Sequence, residues 1–339
     1  MSNDNVLADE DPFNSSTLLV VHRINNIFAT SLGLLLTSAV LFLIIYRTPA
    51  TIRAYSRMIL MSALTDLIYV LVDILCQSRI KMNKSAIFLI FSGPISMFSY
   101  EIQCFSTLFQ ASSAALACSV LPAQYIYRYY MIKRRQSPSL TLTTSLFLGS
   151  LIAALIDGAL AANSFCYSAE KCRQDFDFND KSPQLVSALC DPYSVVYLSW
   201  STIVICGSYL TTLILSRLSV KALRQHASQF SGRTKMLQAQ FTRTLAYQTV
   251  LPLFFSIIPM NIIVFTTFMN IDTGSLGTIM MSSISYIPFF NSFTTICCIK
   301  SYRQEVCGLF ASLNFAKRSL TSVIPNSSGQ TRGVSVTVN

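Results

Sequence analysis

The sequence is short of charge. Only 12% of its 339 residues are Asp, Glu, Lys or Arg, about half the roughly 25% of an ordinary soluble domain. With 52% hydrophobic residues and a mean hydropathy of +0.50, this excludes a soluble globular protein, which would expose more apolar surface than water tolerates. It also excludes a disordered chain, which needs low hydrophobicity and high charge. Histidine is nearly absent. His22 and His226 are the only two, and the spans placed below put them on opposite faces, so no metal site is expected. A Gly-rich phosphate loop, a His-Glu pair on a helix and a nucleophile elbow are missing too. The sequence therefore offers no catalytic residue and no cofactor site, and no enzyme is expected.

What is present is a series of long apolar runs. A helix needs about 20 mostly apolar residues to cross a bilayer. Seven stretches qualify: Ile24–Tyr46, Tyr55–Cys76, Ile102–Ile132, Leu140–Ala162, Tyr193–Leu215, Thr242–Phe268 and Gly277–Ile299. A shorter patch, Ala86–Ser99, contains Gly93-Pro94 and reads as a loop near the outer surface. The expected fold is an all-α membrane protein, a seven-transmembrane-helix bundle over residues 24–299.

Lys and Arg orient the bundle. Eighteen of the 25 fall in the odd-numbered loops and the tail, and seven on the opposite side. The N-terminal segment 1–23 is thus expected outside and the C-terminus inside. Glu305 is the only acid on the basic side. The formal net charge of +10 is mostly a property of the cytoplasmic face and does not point to nucleic acid. The first residues include Asp4, Asp9, Glu10 and Asp11, unlike the basic start of a cleaved signal peptide. Asn14 and Asn83 lie in glycosylation sequons on the predicted outer face. Asn326 matches as well but lies in the tail.

Ten cysteines are present. Cys118, Cys206, Cys297 and Cys298 fall within spans and read as small apolar packers. Cys76, Cys104, Cys166, Cys172 and Cys190 sit at or beyond the outer boundary, where the compartment is oxidising. A bridge from Cys104, at the top of span three, to Cys172 or Cys190 would tie the loop between spans four and five over the bundle. Spacing alone does not decide connectivity.

Ionisable groups inside a membrane are costly and often functional. Asp66 lies near the middle of span two and reads as a polar switch. Asp73, seven residues on, and Asp157, in the outer half of span four, lie near enough to the surface to reach water and a ligand. Glu101 caps the outer end of span three. No central turn carries Lys or Arg, no repeat is visible and no filter-like run occurs, which argues against a transporter or channel.

Span three ends in Tyr127-Arg128-Tyr129 before Lys133-Arg134-Arg135. Arg128 is expected to project into a cytoplasmic crevice and contact a partner. Span six contains Pro252 and Pro259, which remove helix hydrogen bonds and kink it. Asn291 follows Pro288 in span seven. Residues 300–312 place Val306, Leu309 and Phe310 on one face, as in a short amphipathic helix on the inner leaflet. Cys307 within it is a candidate for palmitoylation. Residues 313–339 are polar and expected to be a disordered cytoplasmic tail.

Seven spans, an outer N-terminus, a Cys at the top of span three and a basic helix after span seven resemble a G-protein-coupled receptor. The detailed likeness is narrower. Thr48-Pro49, Tyr55-Ser56-Arg57-Met58-Ile59-Leu60 and Asp66-Leu67 resemble the first loop and second span of nematode serpentine chemoreceptors. Ser92-Gly93-Pro94 before Cys104, Tyr127-Arg128-Tyr129-Tyr130, Lys235 with Gln248 and Leu251-Pro252, and Tyr302-Arg303 follow the same pattern in order. The sequence is most similar to serpentine receptor class delta (Srd) of the Str superfamily. The resemblance implies a chemosensory receptor in the plasma membrane of a sensory neuron, coupled to a heterotrimeric G protein. It places Arg128 at the coupling face. The chain departs from the rhodopsin-like pattern in having Tyr127 before Arg128 and no acid between Ser216 and Phe268. A salt-bridge lock between spans three and six therefore cannot form, and packing and hydrogen bonds must hold the off state.

A small-molecule ligand is expected in the outer half of the bundle, among spans three, five, six and seven under the Cys-rich loop. Candidate contacts are Phe105, Phe109, Tyr197, Trp200, Met260, Phe265 and Tyr286, with Glu101 and Asp157. A pocket with so little charge favours an apolar or weakly polar ligand. A peptide-gated receptor is the rival within the class, a transporter the rival outside it, and an adaptor without ligand the third.

Overall fold

The computed structural model describes residues 16–48, 53–83, 86–134, 136, 138–171, 185–225, 232–271 and 276–308. Helices dominate: α1 (Ser16–Tyr46), α2 (Arg53–Cys76), α3 (Tyr100–Arg134), α4 (Leu140–Lys171), α5 (Pro192–Gln225), α6 (Gly232–Pro252), α7 (Ile258–Phe268), α8 (Leu276–Ile284) and α9 (Ile287–Cys298). A further helix, α10, covers residues 300–308. Between α6 and α7 lies one π-turn, Leu253–Ile257, so the three pieces run as one kinked rod. Pro252 and Pro259 bracket that turn. Each lacks an N–H to donate, and the wider i→i+5 geometry absorbs the mismatch.

Six of these rods are long and apolar enough to cross a membrane: 19–46, 55–76, 100–134, 140–166, 192–225 and 238–268. The predicted seventh span, Gly277–Ile299, is two helices instead, broken at Ser285-Tyr286. Neither α8 (9 residues) nor α9 (12 residues) reaches spanning length alone. Pro288, in the first turn of α9, cannot donate into the preceding turn.

The fold is not all-α. Three strands, β1 (Ser78–Asn83), β2 (Ala86–Phe91) and β3 (Leu185–Ala188), form an antiparallel sheet in the order β1-β2-β3. The predicted loop at Ala86–Ser99 is thus strand β2 plus a short 3-10 turn, Pro94–Met97. Its sequence, AIFLIF, is β-branched and aromatic, and six residues are too few for a span but suit a strand. Residues 78–83 supply the partner edge, with Ser78 opposite Phe91. β2 and β3 are buried, β2 with five of its six residues inside, while β1 exposes Lys81 at the edge.

Two apolar clusters fill the ends of the bundle. One, at the sheet end, joins Ile80, Leu89 and Leu185 to Phe165, Tyr197 and Ile263. The other, at the end bearing Arg128, joins Leu43, Tyr55, Tyr125, Phe241 and Tyr302, with Val306 packed against it. Helix α10 is therefore docked on the bundle by Tyr302 and Val306. The tail beyond residue 308, with Leu309 and Phe310, lies outside the described residues. So do residues 1–15, while α1 begins eight residues before the predicted first span.

Small residues bring helices close. A Cβ on Gly158 of α4 would lie 2.0 Å from Ser112 Oγ and 2.4 Å from Leu108 O of α3. A Cβ on Gly33 of α1 would meet Val70 of α2 at 3.2 Å and Pro288 of α9 at 3.6 Å. Glycine at such positions lets helix backbones pack tightly where no water drives association.

Candidate functional site

Arg128 lies near the end of α3, and its side chain is 1% exposed. It does not project into an open crevice, as its place in the sequence suggested. A guanidinium cannot be buried without acceptors, and Arg128 Nη2 donates to Thr242 Oγ1 of α6. No acid stands opposite it in α6, in keeping with the acid-free run from Ser216 to Phe268. Polar contacts replace the ion pair. The Tyr125 and Thr249 hydroxyls lie 2.9 Å apart, and Gln238 Nε2 donates to Tyr55 Oη. Tyr55 in turn stacks on Phe241 at 4.2 Å between ring centroids. Together these hold α6 against α2 and α3.

The flanking residues take different places. Tyr127 is fully buried. Tyr129 is half-buried, with Lys133 Nζ 5.6 Å from its ring centroid. Tyr302 is buried, its hydroxyl 3.1 Å from that of Thr48. Burial pushes its phenol above the ordinary value, with the Thr48 bond opposing, so it stays neutral. Arg303 is exposed and donates to the Cys297 carbonyl at 3.0 Å, which caps the end of α9. Cys307 is an exposed free thiol.

Midway along the bundle, Asn291 Nδ2 donates to Asp66 Oδ1 at 2.9 Å, joining α9 to α2. Both are buried. This one contact unites two of the predicted switch residues. Around it, Thr37 pairs with Ser292 at 2.9 Å and Gln248 Nε2 donates to Thr295 at 3.0 Å. A column of polar contacts thus runs from Asp66 towards Thr249 and Thr242.

At the sheet end lies a cavity of about 80 Å³, room for a few waters or a compact ligand. Asp157 of α4 lines it with Gln110 of α3, and Tyr197 and Ser201 of α5. Met260 of α7 closes one side, while Ile80 and Leu89 of the sheet meet it from above. Asp157 and Asp73 are 3% and 2% exposed, so neither is open to bulk water as their depth in the sequence suggested. Ser201 hydrogen-bonds to Asp157, and Asp73 accepts from Ser285, Asn26 and Gln110.

Of the predicted ligand contacts, Asp157, Tyr197 and Met260 line this cavity. The others do not. Phe105, Phe109 and Phe265 are 60%, 47% and 57% exposed and face away from the bundle, where the apolar surface is free for lipid. Glu101 is exposed at the start of α3. Trp200 is half-buried elsewhere on α5, and the Tyr286 hydroxyl donates to Asn25 Oδ1 at 2.6 Å. Sequence reading missed Gln110, Thr107 and Ser256, each small or neutral in a long helix. A signal was available, because polar residues on one face of an apolar span mark the interior. The lining also draws on spans two and four and on the sheet, beyond the four spans expected.

The bridge differs from the expected one. Cys104 bonds Cys166, with Cα atoms 5.8 Å apart, within the usual disulfide range. The helix of span four runs on past its predicted end at Ala162 to Lys171. That extension lifts Cys166 beside the top of α3. Cys190 is also disulfide-bonded, and Cys172 lies outside the described residues. Asn83 ends β1, whereas Asn14 is outside the described residues. Among the described residues no cluster of His, Cys, Asp or Glu could hold a metal ion.

Similarity to known proteins fits this geometry. G-protein coupled receptor str-33 of Caenorhabditis elegans is 21% identical over 84% of this chain and 89% of its own length. Serpentine receptor class delta-32 of the same organism is 21% identical over 84% and 85%, and class delta-19 is 23% identical over 81% and 84%. Residues 22–308 match the family described as serpentine type 7TM GPCR chemoreceptor Srd. The chain, a multi-pass membrane protein, belongs to this Srd family of serpentine chemoreceptors.

Proposed function

We propose that this protein is a seven-transmembrane chemoreceptor that binds a small environmental molecule in the cavity beside Asp157 and activates a heterotrimeric G protein at the Arg128 end. In this reading α8 and α9 together form the seventh span. The N-terminus is extracellular and the C-terminus cytoplasmic, supported by the excess of Lys and Arg in the odd-numbered loops. Residues 24–299 form the transmembrane domain, residues 300–312 a membrane-surface helix and residues 313–339 the cytoplasmic tail. The site of action is the plasma membrane of a sensory neuron.

The observation that carries the reading is the pairing of Arg128 with Thr242 across α3 and α6, at the opposite end from the cavity beside Asp157. The closed contact is one of two states. In the other, α6 swings out about the π-turn between Pro252 and Pro259, and Arg128, Tyr127 and Tyr129 become accessible to the G protein. A ligand shifts this equilibrium only by its differential affinity for the two states. The polar column through Asp66 and Asn291 is the proposed route between the sites. Phosphorylation of the Ser/Thr-rich tail would add negative charge beside the basic face.

The test is ligand-dependent nucleotide exchange on a G protein in membranes carrying the chain. Arg128→Ala should abolish exchange at unchanged surface level. A transporter would instead show saturable vesicle uptake insensitive to Arg128→Ala. A peptide-gated receptor would respond to extracellular peptides and not to small molecules. The cavity of about 80 Å³ favours the small molecule.

A further inference from the structure

We propose that the cavity takes a small aliphatic amine in its ammonium form, held by the Asp157 carboxylate and the Gln110 side-chain oxygen. This rests on the reading of the cavity as the ligand pocket. Asp157 is 3% exposed and Gln110 is 7% exposed, and both line the same space. One carboxylate oxygen of Asp157 is accounted for by Ser201. The other, Oδ1, receives no hydrogen bond from the described residues, and neither does Gln110 Oε1. The Gln110 amide nitrogen is committed to Asp73, which fixes the oxygen as the free end.

Several of the donors lining the cavity are already used. The Thr107 hydroxyl donates to the Gln103 carbonyl at 3.2 Å, and Ser256 is bonded to Cys118. Two acceptors, one of them a carboxylate, are left without a donor among the described residues, on side chains that line a mostly apolar space. A buried acceptor without a donor is costly. An ammonium brings three donors and the opposite charge. None of the described lining residues is Lys, Arg or His, so no protein cation competes. A carboxylate or phosphate ligand would meet Asp157 as a like charge. Ala111, Ala114, Ile205 and Met260 complete the wall and suit a short alkyl chain.

The test uses the full chain purified in detergent. It is heated with primary alkylammonium chlorides from methylammonium to hexylammonium, and with the matching alcohols. At least one ammonium should raise the unfolding midpoint while its alcohol does not. Asp157→Asn keeps the shape and removes the charge, and should raise the half-saturating concentration roughly tenfold or more. Should Asp157→Asn fail to run as a single species, Gln110→Met removes the second acceptor at similar length and should weaken binding several-fold. Equal stabilisation by alcohols, no stabilisation by any ammonium, or unchanged ammonium binding in a folded Asp157→Asn protein overturns the proposal. Stabilisation by an ammonium without nucleotide exchange upholds the ligand and removes the signalling. Exchange evoked by another compound, with no ammonium stabilisation, does the reverse.

Discussion

Replacing Thr242 by Val should raise signalling in the absence of any ligand. The two side chains have nearly the same shape, so packing between α6 and α3 is kept. What is lost is the α6 acceptor for Arg128 Nη2. Arg128 is 1% exposed, and its Nε already has no partner among the described residues. A hydrogen bond to a charged group is worth about 1.5–3 kcal/mol, which multiplies the open-to-closed ratio by roughly ten to 150. An open state held at about 1% would rise to about 10% or more. Thr242 also donates to the Gln238 carbonyl one turn back at 2.6 Å, a bond of little consequence for helix stability. Thr244 makes the same kind of back-bond, to Gln240 at 3.1 Å, without touching Arg128. The assay is basal nucleotide exchange in membranes at matched surface levels. Thr242→Val should exceed wild type severalfold and Thr244→Val should equal it. Unchanged or lower basal exchange in Thr242→Val would refute the view that this contact holds the closed state.

Four other outcomes follow from the same geometry. Cys104→Ser and Cys166→Ser should each lower the unfolding midpoint in detergent, and the double variant should be no worse than either, because all remove one bridge worth about 2–4 kcal/mol. Non-reducing peptide mapping should recover Cys104 linked to Cys166. Gly158→Val should abolish surface expression, since a Cβ there would lie 2.0 Å from Ser112 Oγ and 2.4 Å from Leu108 O; Gly207→Val, with nothing within 4 Å of its Cβ position, should express normally. Asn291→Leu should cost about 1–3 kcal/mol by leaving Asp66 without its donor, read as a lower unfolding midpoint, and Asp66→Asn should cost less.

Much of the bundle was legible because a span leaves a long apolar run that nothing else produces. The first six spans were found at nearly their observed places, and the break at Ser285-Tyr286 falls where Pro288 already stood in view. The sheet was not legible. Ala86–Phe91 carries a strand's composition, but its partners Ser78–Asn83 and Leu185–Ala188 are polar or remote, and pairing is set by the fold. Cysteine pairing failed for a related reason. Only the extension of α4 to Lys171 decides that Cys166 stands beside Cys104. The charged positions were legible as lying in the spans, but not how closed their surroundings are: Arg128, Asp73 and Asp157 are buried where a crevice or water was expected, and Glu101 is exposed. Asp66, Asp157, Arg128 and Asn291 lie inside because burial of such groups in a span needs partners. Phe105, Phe109 and Phe265 face outward because an aromatic ring is as stable against lipid as in a core, so type alone does not reveal side.

The most direct test of the account is nucleotide exchange on a heterotrimeric G protein in membranes carrying the full chain, with alkylammonium salts as the added probe. The account predicts exchange that rises with the probe in wild type and is absent in Arg128→Ala at the same surface level. Exchange that survives Arg128→Ala undiminished would contradict it, as would saturable uptake of the probe into vesicles that Arg128→Ala leaves unchanged.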